Sequence, residues 1–242
     1  MLGGWRELCG LVLPVACAGC GRPRSDLCAA CEAALHGTPP RRVWPSPRPP
    51  GLPPVHAAAP YENAVRAVLL AHKERGALGL ARVLGRALAG GVRAGTRRSG
   101  GPGPLLLVPV PSARSATAAR GHDPVRRIAT AAAQYLRRTG LPAQTVPVLR
   151  QRRVVADQSG LGARQRRVNL AGALELVAGG ERLIRHGAVI LVDDLLTTGS
   201  TLAEAARAVD EGLGRDPRTA GRPVCRAAVV AASPSAFEIN RN

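Results

Sequence analysis

Two acidic side chains, Asp193 and Asp194, follow a run of five apolar residues, Ala188 to Val192, and precede Thr197-Thr198-Gly199-Ser200-Thr201. Leu202 to Val209 then has a helical pattern. A short apolar run bounded by turn signals predicts a buried parallel strand. The turn after it is predicted to open a helix, with Ser200 or Thr201 as the cap. Backbone N–H groups converge at such a turn and the helix dipole adds positive potential, so it can hold a phosphate. Two carboxylates would repel that phosphate. They suit hydroxyl groups of a phosphosugar, or a bound cation.

The string resembles the 5-phosphoribosyl-1-pyrophosphate (PRPP) motif of type I phosphoribosyltransferases. The resemblance implies that Asp193 and Asp194 face the ribose hydroxyls and that Thr197, Thr198, Gly199, Ser200 and Thr201 wrap the 5′-phosphate. An ordinary strand–turn–helix corner is the alternative, although such a corner rarely joins paired acids to Thr-Thr-Gly-Ser-Thr.

Three further stretches carry charge that could serve the same chemistry. Arg114 and Arg120-Gly121-His122-Asp123 follow the strand predicted at Leu105–Pro111. A loop at the carboxyl edge of a parallel sheet is where α/β folds bind ligands, and arginines there could clamp a pyrophosphate. A solvated basic loop would read the same. The stretch from Leu149 to Leu170, with Arg150 near its start, is strongly basic and weakly periodic. A loop closing over an anionic substrate, a nucleic-acid contact and a solvated helix face all fit it. Lys73 is the only lysine beside 33 arginines, so it either does something arginine cannot or is an incidental surface residue.

Cys17-Ala18-Gly19-Cys20 and Cys28-Ala29-Ala30-Cys31 are two Cys-x-x-Cys pairs seven residues apart. Cys17, Cys20, Cys28 and Cys31 fit a structural Zn²⁺ site, which would stabilise a segment too small to bury a core. Two disulfides or a redox pair are the alternatives. Cys225, beside the apolar run Ala227–Ala232, reads as a buried thiol.

The chain has 242 residues, 34 basic against 16 acidic, for a net charge of +18. Such charge attracts polyanions, and an Arg-, Ala-, Gly- and Pro-rich composition bias accounts for it equally well. Aromatics are 2% of residues, so a core must be built from Ala, Val and Leu, and bases have few rings to stack on. No run reaches the ~20 apolar residues of a membrane span. Leu8 to Cys17 imitates a signal peptide, but Glu7 and Pro14 argue against export, so a cytoplasmic protein is expected.

Positioning these residues requires a frame. Helices are predicted over Tyr61–Lys73, with Val65, Val68, Leu69 and Leu70 inward, and over Leu78–Val92 and Pro124–Arg138. Gly95–Pro104 reads as a loop. Strands are predicted at Val55–Ala59, Leu105–Pro111, Ala143–Leu149, Ala173–Val177, Val189–Val192 and Ala227–Ala232. This alternation argues an α/β fold with a mostly parallel sheet flanked by helices. Residues 1–37 form the four-cysteine module. Residues 38–54 lie in a Pro-rich connector, Thr38–Pro60 holding nine of the 21 prolines. Residues 55–242 form the main domain.

The whole pattern resembles the ComF family of competence-associated proteins. The residues that carry the resemblance are the four-cysteine start, Tyr61 with the helix ending at Lys73, Val108-Pro109-Val110-Pro111, and Arg120-Gly121. Arg150, Gln158, Leu161, Arg167, Asn169 and the Asp193-Asp194 motif complete it. It implies a zinc-ribbon-like module on a type I phosphoribosyltransferase-like domain. It also implies Mg²⁺-assisted transfer of phosphoribosyl from PRPP to a nitrogenous acceptor, and a link to DNA uptake. On this reading Asp193, Asp194, Arg120 and Arg150 are catalytic, and Lys73 and Arg114 join the turn in binding PRPP. An accessory DNA- or protein-binding factor, its PRPP pocket a sensor or relic, is the other expectation. Where the family has an aromatic, Asn and Gln after Arg-Gly, this chain has His122, Asp123 and Pro124.

Overall fold

The computed structural model describes residues 16–97, 103–153, 162–215 and 225–238, without the side chains of Arg114, Ser115 and Ala163. The described residues begin with the cysteine module and helix α1 (Ala29–His36). Strands β1 (Arg41–Val43) and β2 (Val55–Pro60) follow, then α2 (Asn63–Glu74), a 3₁₀ turn at Leu78–Leu80 and α3 (Ala81–Thr96). Next come β3 (Leu105–Pro109), α4 (Arg114–Arg120), α5 (Pro124–Arg138), β4 (Ala143–Thr145), β5 (Leu149–Gln151) and α6 (Ala163–Leu170). The chain then forms β6 (Leu174–Leu176), α7 (Gly180–Ile184), β7 (Ala188–Leu196), α8 (Ser200–Gly212), β8 (Arg226–Ala232) and α9 (Ser235–Glu238).

Six strands pair in the order β1-β2-β8-β7-β3-β4, all parallel except β1. The fold is therefore α/β with a mostly parallel sheet flanked by helices. Alternation along the strands splits the core in two. Leu107, Ile190 and Val192 face Val68, Leu84, Leu88, Ile128 and Leu136 of α2, α3 and α5. Leu106, Val108, Val189 and Leu191 face Leu202, Val209 and Ile184 of α8 and α7. Ala, Val and Leu fill both halves, as the shortage of aromatics requires.

Helix α5 has the predicted limits because its start is strongly specified. Asp123 accepts a hydrogen bond from Arg126 N at 3.0 Å, and Pro124 takes the first helical position. Other expectations shift. The segment read as a connector carries β1, an antiparallel edge strand on β2, and seats Leu52 in the core. The single strand expected at Ala143–Leu149 is two. β4 ends at Thr145, and Pro147, which has no N–H to donate, separates it from β5. β5 pairs with β6 as a separate antiparallel hairpin. Helix α3 runs on to Thr96, into the expected loop. Leu70 is half-buried, whereas Val65, Val68 and Leu69 are buried as expected.

Candidate ligand cleft and metal centre

Strands β3 and β7 are neighbours, but the chain leaves them in opposite directions, β3 toward β4 and β7 toward β8. The loops beyond their carboxyl ends therefore diverge and open a crevice, the place where open α/β sheets hold ligands. A cleft of about 740 Å³ occupies it. Pro111, Ser112 and Ala113 line it from the β3 side, and Asp193, Asp194, Thr197 and Thr201 from the β7 side. Lys73 and Arg120 are its lining cations, and Gln151, Leu170 and Leu174 close it from the hairpin side.

The acids are not a bare pair of charges. Lys73, in the last turn of α2, donates from Nζ to Asp194 Oδ2 at 2.7 Å. Asp194 N in turn donates to Asp193 Oδ1 at 2.8 Å. The Asp193 carboxyl is held well above the usual carboxylate range, by burial first and by the Asp194 charge second, against the opposing pull of Lys73. Burial alone would lower the Lys73 pKa, but the charge and hydrogen bond of Asp194 outweigh it and the net shift is upward. The Lys73 charge beside Asp194 offsets part of the negative charge that the two acids bring to the cleft.

The turn after β7 differs from expectation in one respect. Its cap is Gly199, not Ser200 or Thr201. Gly199 has φ 74°, in the left-handed region, and Ser200 is the first helical residue. A Cβ on Gly199 would lie 3.1 Å from Leu52 Cδ2 and 3.3 Å from Pro45 Cγ, so the segment before β2 underpins the turn. The Thr198 and Ser200 hydroxyls are 3.1 Å apart.

Arg120 ends α4 and donates from Nε to Glu74 Oε2 at 2.9 Å, which ties it to the helix of Lys73. His122 has ring nitrogens 3.0 Å from Arg120 O and 3.3 Å from His72 O. These residues and the Asp123 cap hold backbone in place. Arg114 starts α4, but its side chain lies outside the description, as do Gln158 and Leu161. Arg150 is half-exposed on β5 and donates to Glu175 Oε1 at 2.9 Å across the hairpin; its neighbour Gln151 lines the cleft instead.

Three residues that the sequence reading did not single out complete the surroundings. Glu204 of α8 is buried and accepts from Leu174 N at 3.0 Å, while Arg207 donates to Leu174 O at 2.8 Å and to Glu204. This clamp fastens the hairpin to the helix that starts at the turn. Arg166 of α6 reaches Thr197 Oγ1 with Nη1 at 3.4 Å. Nothing in the run of arginines around it distinguishes it in sequence.

At the N-terminus, one ligand atom from each of Cys17, Cys20, Cys28 and Cys31 lies within 4.8 Å of the others, and the four thiols are free of disulfides. Cys28 N donates to Cys17 Sγ at 3.3 Å. Burial raises the Cys17 thiol, but N–H groups of Cys28, Cys20 and Gly19 outweigh it and bring the pKa down to about 6. Cys31 is pushed up, by burial first and then by the neighbouring sulfurs. Four clustered sulfurs fit a tetrahedral metal such as zinc. Gly19 is required there, since a Cβ would lie 2.6 Å from Cys31 Sγ. No helix among the described residues is long and apolar enough to cross a membrane.

Set against known proteins, the chain matches no protein-family model and no curated protein.

Proposed function

We propose that this chain is a PRPP-binding, phosphoribosyltransferase-like protein of the ComF type. It would transfer 5-phosphoribosyl to a nitrogenous acceptor and release pyrophosphate. The observation that carries the reading is the convergence, in one cleft, of Asp193, Asp194, the Thr197–Thr201 turn, Lys73 and Arg120. The sequence motif supplies the chemical class, and the switch-point position suits a nucleotide-like ligand.

On this reading the turn's N–H groups and α8 dipole take the 5′-phosphate. Asp193 and Asp194 receive the 2′- and 3′-hydroxyls, with Lys73 fixing the Asp194 carboxylate. The C1–O bond to pyrophosphate breaks and its electron pair leaves with the pyrophosphate. Arg120, beside the cleft, offsets the developing charge. The acceptor nitrogen then bonds to C1 and loses its proton. Gln151, Leu170 and Leu174 border the cleft from the hairpin side and would limit access of water to the oxocarbenium-like carbon from there. The hard oxygen donors of Asp193 and Asp194 fit Mg²⁺, which would neutralise pyrophosphate charge and keep most of its ligands from substrate and water.

Titration calorimetry of the zinc-loaded chain with PRPP and Mg²⁺, beside Asp193→Asn/Asp194→Asn, tests the proposal. Micromolar-range binding lost in the double variant is expected. A folded wild-type chain that binds no PRPP overturns the reading. The net charge of +18 favours a second one, an accessory nucleic-acid-binding factor. In that case the double variant keeps a salt-sensitive affinity for DNA.

A further inference from the structure

We infer that Arg166 is a phosphate ligand of the 197–201 turn, and that the group seated between them is a phosphate monoester dianion. This rests on the phosphoribosyl reading of the cleft and adds a side chain to it. Helix α6 is stopped at its start by Gln165, whose Oε1 accepts from Gly162 N at 3.0 Å. The helix packs on α8, and Arg166 faces the turn at which α8 begins. Its Nη1 reaches Thr197 Oγ1 at 3.4 Å, beyond the usual 2.7–3.2 Å of an N–H···O bond. Its Nε is shut off from water and has no partner among the described residues.

The surrounding cations are different. Lys73 is taken by Asp194, Arg120 by Glu74, Arg150 by Glu175 and Arg207 by Glu204. Among the described residues no carboxylate pairs with Arg166. A half-buried guanidinium with an orphaned N–H carries a desolvation cost that an anion would offset. The two Nη groups, at the end of the side chain that approaches Thr197, form a fork that matches two phosphate oxygens. The turn's N–H groups would hold the remaining oxygen, and neither half alone neutralises a dianion.

The test is titration of wild type, Arg166→Gln and Arg166→Lys with ribose 5-phosphate and with PRPP, after a melting curve shows each variant folded. Arg166→Gln is expected to weaken both ligands by the same factor, about ten- to a hundredfold. Arg166→Lys, which keeps the charge but not the fork, should fall between. Wild-type affinity of Arg166→Gln for ribose 5-phosphate overturns the inference while PRPP binding still stands. A loss confined to PRPP also overturns it, because Arg166 would then serve the pyrophosphate. A wild-type chain that binds neither ligand removes the underlying reading as well. If Arg166→Gln does not fold, equal binding by Arg166→Lys and wild type defeats the fork.

Discussion

Lys73 Nζ lies 2.7 Å from Asp194 Oδ2, joining the last turn of α2 to the strand at the centre of the sheet. The Asp194 side chain is 8% exposed and that of Lys73 33%, so solvent screens one partner only. Lys73→Met would leave a buried carboxylate unpaired. A destabilisation of about 1–3 kcal/mol is expected after allowance for that screening. The Lys73 pKa is raised on folding. Its contribution is therefore complete below the ordinary lysine pKa and is lost as pH rises through the folded value. Urea melts at pH 7 and above pH 11 should show the variant's deficit shrinking at the higher pH. A deficit independent of pH would refute the linkage.

Asp193 is expected to destabilise the chain that uses it. Its folded pKa is raised, so the unfolded chain releases the proton first as pH rises. Stability falls across the window between the ordinary carboxylate value and the folded one, and stays lower above it. Asp193→Asn keeps an acceptor for Asp194 N but carries no charge. It should raise the melting temperature by about 2–4 °C at pH 7, the scale of a 1 kcal/mol gain, and by nothing near pH 3. PRPP affinity should fall in the same variant. Scanning calorimetry at the two pH values decides the matter.

The cysteine module should hold one Zn²⁺ per chain, measurable by elemental analysis of the purified protein. Cys31→Ser should lose it, and a strong chelator should lower the melting temperature of wild type only. Gly19→Ala is the more selective probe. It leaves all four sulfurs in place but puts a methyl group against Cys31 Sγ. Weakened metal retention is expected, and full retention would show that the knuckle can shift.

Gly199→Ala meets two obstacles, a left-handed φ and the side chains of Leu52 and Pro45. The backbone part alone costs about 1–2 kcal/mol. The turn would relax away from its present conformation, so affinity for ribose 5-phosphate should drop together with stability. Denaturation and ligand titration on one sample would show whether the losses coincide.

What the sequence made legible was local. Asp123, Pro124 and the apolar spacing of Val125, Ile128, Ala132 and Leu136 declare α5, and five apolar residues before two acids declare β7. Arg41-Arg42-Val43 is too short and too polar to announce an edge strand, and only β2 beside it makes it one. The hairpin was hidden because Arg150 and Glu175 meet across distant sequence. The site divides in the same way. The turn and the acids are contiguous and could be read together; Lys73 and Arg120 were named one by one, and their meeting with the acids, like that of Arg166 with the turn, comes only from three different helices packing at one sheet edge. Arg150, credited with a part in the cleft, illustrates the limit. Gln151 lines the cleft and Arg150 does not, because alternation on a strand turns neighbours to opposite sides.

The seat of Gly199 on Leu52 and Pro45 bears on how this protein is made. Synthesis runs from the N-terminus, so the proline-rich stretch leaves the ribosome long before the turn it supports. Strand β2 must also wait for β8, the last strand, to complete the parallel sheet. The early part of the chain is thus a platform held ready, and the ligand-facing turn settles on it at the end. A domain trimmed to begin at Val55 would keep every cleft side chain named above and still lack the floor beneath its turn.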